Sequence, residues 1–280
     1  MSAATETSIV IRDIETQAEV RAVEELQKEV WGLPDLDVVP LTQLVAAQAA
    51  GGVLIGAFDG AVLVGFAYGF VGCENAQITH HSHMLAVKPG YRNYDLGKRL
   101  KFAQRDRVIA QGISLMTWTF DPLQSLNAYF NFSKLGVVSD RYLINFYGED
   151  AASFLHRAGT DRLWVTWDLT NEKLENQFDE RNFDDAFGQI TPLVKIGDDD
   201  YPVSNDLQKG LEADHALIEI PSNINDLAKK DGALTNNWRE ATRRAFTGAI
   251  EKGFSVRNFY RIKRGGERPH GVYLLSRGED

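Results

Sequence analysis

The segment His81–Gly136, HSHMLAVKPGYRNYDLGKRLKFAQRDRVIAQGISLMTWTFDPLQSLNAYFNFSKLG, decides the fold. Its apolar run MLAV is typical of a strand, and PGYRN breaks the chain after it. Leu96, Leu100, Ala103 and Val108 then recur at near-helical spacing. The segment therefore predicts a strand, a basic glycine-containing turn, a helix, a second strand and a second helix.

The start and the outer face of the first predicted helix are strongly basic. The basic residues there are Arg92, Lys98, Arg99, Lys101, Arg105 and Arg107. A helix N-terminus points unpaired N–H groups and a partial positive charge outwards, so a turn of this kind suits a pyrophosphate. A solvated helix face is the alternative interpretation of the same run of charges.

The residues before and after this segment extend the alternation of strands and helices. SIVIRDI predicts the first strand, and helices follow over TQAEVRAVEELQKEVWG and PLTQLVAAQAAGG. VLIGAFDGAVLVGFAYGF predicts a hairpin around Asp59-Gly60, a preferred pair for a tight turn. Later strands are predicted over QITHHSHMLAVKP, LMTWTF, VVSDRYLINFYG and DRLWVTWDL.

The composition changes after residue 170, where NEKLENQFDERNFDDAFG is acidic and weakly apolar. We interpret it as a linker between a domain over residues 1–170 and a smaller α/β domain over residues 171–280. Strands are predicted there over PLVKIG, ALIEIP, FSVRNFYRIKR and HGVYLLSR, with a helix over LTNNWREATRRAFTGAIEKGF.

Three residue pairs of this sequence allow a structural and a functional interpretation. Asp121-Pro122 is best explained as the cap and first turn of the following helix. Trp238-Arg239 and Arg243-Arg244 are interpreted as a surface stripe, with binding of an acceptor carboxylate as the alternative.

Composition and charge exclude several classes of protein. The 280 residues carry a formal net charge of -9, which argues against a general nucleic-acid binder. The single cysteine, Cys73, excludes an internal disulfide framework, and MSAATETSIVIRDIE lacks the features of a signal peptide. No apolar run is long enough to span a membrane. We expect a cytoplasmic protein with neither nucleic acid nor membrane as a partner.

The pattern LAV-x-P-x-x-R-x-x-x-x-G, between a strand and a helix, resembles motif A of the GNAT acyltransferases, a superfamily of N-acetyltransferases. In that family the loop holds the pyrophosphate of coenzyme A, and it maps onto Arg92, Asp95 and Gly97. Asp95 stands where the family usually has its first glycine. Aspartate tolerates the left-handed conformation better than most residues, so the backbone can still turn there.

The resemblance implies a set of contacts with acyl-CoA on this segment. The backbone of Leu85 and Val87 would pair with the pantetheine arm, and the N–H groups of Asn93–Lys98 would hold the pyrophosphate. The residues assigned to coenzyme A here are Leu85, Ala86, Val87, Arg92, Asn93, Tyr94, Asp95, Leu96, Gly97 and Lys98.

NAYFNFSKLG, followed by a strand, resembles motif B of the same family, with Ala128 and Gly136 at the matching positions. At the position of the family's tyrosine, which protonates the leaving thiolate, this chain has Phe132. Tyr129, three residues earlier on the predicted helix, is the candidate replacement. The resemblance also implies that Asn127, Asn131 and Lys134 contact the coenzyme.

His80, His81 and His83 lie on the predicted fourth strand. Strict alternation would place His81 and His83 on one face with Leu85 and Val87, and His80 on the other. A zinc site, a structural pair and catalysis are the three interpretations, and the other histidines show no ligand spacing. The stretch resembles the same strand of arylalkylamine N-acetyltransferases, where two histidines help remove the amine proton. An imidazole of ordinary pKa would accept that proton near neutrality.

These observations together predict an α/β protein of GNAT fold, a mixed central sheet flanked by helices, with a smaller C-terminal α/β domain. The implied activity is transfer of an acetyl or succinyl group from acyl-CoA to the amine of a small molecule such as an amino acid. His83, His81 and Tyr129 would be catalytic, and no metal is expected. The alternative is a catalytically silent acyl-CoA-binding or regulatory module, and a homodimer is left open.

Overall fold

The structure, a computed structural model, describes residues 9–148, 159–170, 183–263 and 269–278. The chain divides into two compact units, Met1–Trp118 and Thr119–Asp280. This division lies well before residue 170, where the change of composition predicts the domain boundary. Residues 171–182 of the acidic stretch lie outside the described residues. Its last part is described, and there Phe183 and Phe187 are buried, which a linker does not predict.

The first unit contains a mixed sheet and three long helices among its described residues. Its strands are β1 (Ile9–Asp13), β2 (Val53–Asp59), β3 (Val62–Glu74), β4 (Gln77–Val87) and β5 (Leu115–Phe120). Its helices are α1 (Gln17–Trp31), α2 (Leu41–Ala49) and α3 (Leu96–Ala110). The strands are adjacent in chain order, antiparallel from β1 to β4 and parallel between β4 and β5. The predicted order of elements and the mixed α/β fold class are confirmed.

Local sequence explains where α1 begins and ends. The Thr16 side chain accepts a hydrogen bond from the Glu19 N–H, and the Glu19 carboxylate accepts one from the Thr16 N–H. This reciprocal capping box satisfies N–H groups that the first turn leaves unpaired. The helix ends at Gly32, whose φ of 64° is a left-handed conformation that glycine adopts without strain.

The sheet of the first unit is covered on both faces. Val23 and Leu26 of α1 and Leu44 of α2 pack with Phe66 of β3 in one buried cluster. Gly65, the neighbour of Phe66, faces the other way, and a methyl group built on it would lie 3.2 Å from the Leu100 side chain of α3. Consecutive strand residues point to opposite faces, so α3 covers the face opposite to α1 and α2.

The second unit is built on another mixed sheet. Its strands are β6 (Val138–Leu143), β7 (Arg162–Asp168), β8 (Val194–Ile196), β9 (Pro202–Ser204), β10 (His215–Ile220), β11 (Phe254–Ile262) and β12 (His270–Arg277). Its helices are α4 (Ser125–Ala128), α5 (Phe183–Phe187), α6 (Leu207–Gly210), α7 (Ile224–Lys230) and α8 (Gly232–Glu251). Within this unit the strand order is β7-β6-β11-β12-β10-β8-β9.

The pairing of β6 explains why the second compact unit begins before residue 170. Ser139 of β6 is in register with Val256 of β11, so β6, and β7 paired with it, join the sheet that the C-terminal strands form. No signal in the sequence indicated this long-range pairing. Helix α7 was not predicted either, although Asn223 caps it by accepting a hydrogen bond from the Asn225 N–H. Among the described residues no helix is long and apolar enough to cross a membrane.

Candidate functional site

Strand β4 carries a bulge at His83. Gly69 of β3 is in register with Ser82 and Tyr68 with Met84, so His83 is an extra residue on β4. A bulge of this kind locally disrupts the hydrogen-bond ladder and re-aims the side chains that follow it.

The bulge contradicts the prediction that His81 and His83 share a face with Leu85 and Val87. Leu85 faces α3, because a methyl group on Gly97 would lie 3.7 Å from its side chain. His81 and His83 instead approach the Phe70 ring, at centroid distances of 5.4 and 5.7 Å. The alternation was correct up to His83 and wrong from Met84 onwards, because one inserted residue inverts the order of faces.

The C-terminal half of β4 has an open edge. β4 pairs with β5 at His80 and His81, whereas Ser82–Val87 has β3 as its only paired strand among the described residues. Because β5 continues to Phe120, the two parallel strands separate beyond His81. We call the backbone of Ser82–Val87 the β4 edge. It offers unpaired N–H and C=O groups to an extended ligand.

The chain passes from the β4 edge into the N-terminus of α3. A short 3₁₀ turn, Pro89–Tyr94, leads to Asp95, whose φ of 54° is left-handed as the sequence predicted. The first helical hydrogen bond runs from the Arg99 N–H to the Asp95 carbonyl, and no described side chain caps the helix. The N–H groups of Leu96, Gly97 and Lys98 therefore remain available to an anion.

The side chains around this helix start differ in exposure. Leu96 is buried in the core, and Gly97 and Lys98 are half-buried. Arg92, Asn93, Tyr94 and Asp95 are exposed. Ala86 and Val87 are buried, and Leu85 is half-buried, so these three would reach a ligand through their backbone.

His81 and His83 lie 6.4 Å apart, measured between ring centroids, on the face that α1 and α2 cover. The His81 Nδ1 is 3.1 Å from the Thr117 hydroxyl. Burial, with the neighbouring His83, lowers the pKa of His81 to about 4. The aromatic rings packed beside His83 partly desolvate its imidazole and lower its pKa. The rest of the His83 side chain is exposed to solvent. Both imidazoles therefore favour the neutral form at pH 7, with pKa values below the ordinary one that the sequence analysis expected.

The face of β4 that packs against α3 holds a buried polar cluster that sequence reasoning missed. Lys101 donates to the Ser82 hydroxyl at 2.7 Å, and Ser82 donates to the Gln104 Oε1 at 2.7 Å. The Gln104 Nε2 lies 3.3 Å from the His80 Nε2. We call these four residues the Lys101 cluster. Lys101 belongs to the basic run 92–107 that resembled a solvated helix face, yet only 3% of its surface is exposed.

The motif B residues lie in the second unit, where the helix that the sequence predicts is a short α4 followed by a π-helical turn, Tyr129–Lys134. Phe132 is in the core, at centroid distances of 6.1 Å from Phe120 and 5.8 Å from Tyr273. Tyr129 is half-buried, with the Lys134 Nζ 5.1 Å from its ring centroid.

The other predicted contacts on this segment differ in exposure. Asn131 is buried, whereas Asn127 and Lys134 are exposed. Their contact with coenzyme A and the acid role of Tyr129 stay predictions. Tyr129 also lines an open pocket of about 460 Å³ within the second unit, together with Phe183, Asp184, Arg261, Ile262, Lys263 and Pro269.

Arg239 and Arg243 do not form the surface stripe that was predicted. Arg239 is 4% exposed and pairs with Asp121 at 2.8 Å. Arg243 pairs at 2.8 Å with Asp161, which is fully buried. Asp121 also accepts a hydrogen bond from the Leu123 N–H at 3.0 Å, in the turn that precedes α4. Gln124 is the N-cap residue of α4, so the prediction that Asp121-Pro122 forms the cap and first turn of this helix was wrong. Both arginines are committed to carboxylates of the chain itself.

Within the described ranges, no group of three or more histidine, cysteine or acidic side chains could hold a metal ion. His80 and His81 point to opposite faces of β4, as expected for neighbouring strand residues.

Comparison with known proteins gives structural neighbours alone. No protein-family model and no curated protein sequence matches the chain. Solved structures with a similar fold include a protein from Desulfovibrio desulfuricans described as a GNAT-family acetyltransferase, at 16% identity and a TM-score of 0.46 over 58% of this chain and 99% of that one. The ribosomal-protein-S18-alanine N-acetyltransferase from Escherichia coli matches at 14% identity and a TM-score of 0.47, over 61% of this chain and 99% of that one.

A third neighbour is the aminoglycoside 6′-N-acetyltransferase from Enterococcus faecium, at 17% identity and a TM-score of 0.45. The matched region covers 57% of this chain and 97% of that protein's chain. Each of these three proteins is described by its name as an acetyltransferase.

Proposed function

We propose that the chain is an acyl-CoA-dependent N-acyltransferase of the GNAT type. One observation carries this proposal: the β4 edge, open to an extended ligand, leads directly into the uncapped N-terminus of α3. An extended amide chain that ends in a pyrophosphate matches both features. The unpaired backbone of the β4 edge can form hydrogen bonds with the amides, and the N-terminus of α3 can bind the pyrophosphate anion. Acyl-CoA has this chemistry, and the resemblance to motif A supports the same ligand.

The residues present fit that ligand group by group. The backbone of Leu85 and Val87 would pair with the amides of the pantetheine arm, and the N–H groups of Leu96–Lys98 would take the pyrophosphate. Arg92 and Lys98 add positive charge at the helix start. The Asp95 carboxylate is exposed, so it can point into solvent, away from the phosphates.

The reaction would be a direct transfer. A neutral amine attacks the thioester carbonyl, a C–N bond forms, the C–S bond breaks and the thiolate leaves. The Leu85 N–H would stabilise the oxyanion that develops on the carbonyl. The amine proton would go to His83 or, through it, to His81, and the leaving thiolate would be protonated by water or by Tyr129.

The histidines can be tested by substitution. Both imidazoles are neutral at pH 7 and can accept a proton, and His83 has the more exposed side chain. We expect the His81→Gln/His83→Gln double variant to lose about 100-fold in kcat/KM, the usual size of general-base catalysis, and each single variant to lose less. Wild-type rates in the double variant would assign both histidines a structural role.

The acyl group and the acceptor are proposed at the level of class. Acetyl transfer to the amine of a small molecule such as an amino acid is the first choice, and succinyl transfer is the second. A homodimer is compatible with this function, and the site needs neither a metal nor nucleic acid.

The second candidate is a silent acyl-CoA-binding module. Phe132 favours it, since the residue at the family's tyrosine position is packed in the core and carries no acidic proton. Turnover separates the two candidates. We expect acetyl-CoA or succinyl-CoA, offered with a panel of amines, to release free thiol in proportion to acylated product. Tight binding without thiol release would favour the silent module.

Two charge-reversal variants test whether coenzyme A binds at the start of α3. Arg92→Glu should abolish the thermal stabilisation by coenzyme A, whereas Lys252→Glu, which reverses an exposed charge in the second unit, should retain it. An unchanged melting temperature of the wild-type protein in saturating coenzyme A would overturn the proposed function.

A further inference from the structure

The Lys101 cluster combines burial with an unusual absence of charge partners. Lys101 lies in the second turn of α3, and its Nζ sits 3.6 Å from the centroid of the Trp118 ring. No carboxylate among the described residues pairs with it. Burial lowers the pKa of Lys101 well below its usual value, which favours the neutral amine.

The hydrogen bonds of the cluster run in one direction, from Lys101 through Ser82 to Gln104. Lys101 donates to Ser82, Ser82 donates to Gln104, and the Gln104 amide faces the His80 Nε2. If the amide donates, His80 is the neutral tautomer with its proton on Nδ1, an atom without a partner among the described residues. Lys101 and Gln104 are three residues apart on α3 and so present one face to β4.

The cluster sits at the point where the bulge begins. Ser82 is the last residue of β4 in regular register with β3 before His83. Gly69, its partner on β3, leaves room for the cluster, because a methyl group there would lie 2.9 Å from the Gln104 Nε2. The two hydrogen bonds to Ser82 thus hold its side chain on the α3 face and leave His83 as the inserted residue.

A shift of this register would change the β4 edge. Moving a strand by one residue exchanges its two faces, so a bulge displaced from His83 would turn His83 or Leu85 to the opposite side. It would also move the backbone groups that the proposed transfer uses.

We propose that Lys101, acting through Ser82 and Gln104, is a positioning residue that fixes the bulge at His83 and with it the geometry of the β4 edge. The expected effect of Lys101 on acyl-CoA binding rests on the proposed function. Its expected effect on the bulge depends only on the structure of β4. Lys101 itself does not touch the reacting atoms; it acts through the conformation of the strand.

The test compares Lys101→Met with the matched control Arg105→Met, a substitution one turn later on α3 at a partly exposed side chain. Methionine keeps the length of the side chain and removes the donor, so we expect a melting temperature at pH 7 no lower than that of the wild type. We expect coenzyme A affinity, measured by isothermal titration calorimetry, to fall about tenfold, the equivalent of one lost hydrogen bond to the strand. Amide hydrogen exchange over Ser82–Val87 should become faster in the same variant.

Gain or retention of stability together with loss of affinity is a combination that a purely structural role would not produce. Lys101→Gln, whose amide can still donate to Ser82, should recover part of the affinity and of the protection from exchange. Arg105→Met should behave like the wild-type protein in both measurements.

The outcomes separate this inference from the proposed function. If the wild-type protein binds no coenzyme A, the proposed function fails, and the exchange rates over Ser82–Val87 alone decide the role of Lys101. If Lys101→Met leaves those exchange rates unchanged, the inference is overturned, whatever the affinity. The same holds if wild-type protein binds coenzyme A and both methionine variants bind it equally well.

Discussion

The two units bury a cation in opposite ways. Arg239 in the second unit and Lys101 in the first are 4% and 3% exposed. Burial is the largest single influence and by itself would lower the pKa of Arg239, but Asp121, Tyr142 and Asp161 together outweigh it and the pKa is raised. Lys101 has no such carboxylate within the described part of the chain, and burial lowers its pKa well below the usual value. A guanidinium cannot lose its proton and needs an acid, whereas a lysine can become a neutral hydrogen-bond donor.

The largest expected effect comes from removing the acid beside Arg239. Asp121→Asn keeps the shape of the side chain but removes the carboxylate that is paired with the buried guanidinium, and the other acid that acts on it, Asp161, is already paired with Arg243. We expect the free energy of unfolding in urea to fall by about 3–5 kcal/mol. The control is Asp140→Asn, which removes the exposed partner of Arg141 and should cost less than about 1 kcal/mol. Equal losses in the two variants would contradict the charged state assigned to Arg239.

A smaller effect is expected from the ionisation of Lys101, which makes the free energy of unfolding depend on pH. The unfolded lysine holds its proton up to a pKa near 10.5, whereas the folded one loses it at lower pH. The unfolded state therefore binds more protons in between, and the stability of the wild-type protein gains up to about 1.4 kcal/mol for each pH unit. The Lys101→Met variant lacks this gain. Urea unfolding of both proteins at pH 7, 8 and 9 measures the difference, and parallel curves would show that Lys101 is charged when folded.

The smallest of these effects concerns His80, whose pKa burial lowers from 6.5 to about 4. Its contribution to stability is complete above pH 6.5 and is lost as the pH falls towards 4. At pH 5 the wild-type protein should have lost about 2 kcal/mol that His80→Gln keeps. The same two proteins at pH 8 serve as the control, because both side chains are neutral there. If acid destabilises both equally, His80 is protonated in the folded state at higher pH than its burial implies.

Features set by neighbouring residues in the sequence could be predicted, whereas features set by distant residues could not. The apolar run around Leu85 and the repeat of Leu96 and Leu100 are local signals, so the strand, the turn and α3 were predicted in the right order. The left-handed Asp95 was predicted for the same reason, since the conformational preference of a residue is local. The β4 edge follows from a pairing with β5 that stops at His81, which no local pattern encodes.

The errors have long-range causes. The bulge at His83 depends on what holds Ser82, and the bonds to Ser82 come from a helix about 20 residues further along the chain. Lys101 stands in a basic run, and only the packing of α3 on β4 distinguishes it from its solvated neighbours. Arg239 resembled a surface arginine because Asp121, its partner, is more than 100 residues away in sequence.

The most direct test of the central claim is where coenzyme A protects the backbone. Hydrogen exchange measured by mass spectrometry, with and without saturating coenzyme A, should show slower exchange over Ser82–Val87 and at the start of α3, Leu96–Lys98. The strand β1, Ile9–Asp13, should exchange as before, and Gly97→Glu should abolish the protection. Coenzyme A that binds without slowing exchange at either of the first two segments would contradict the account.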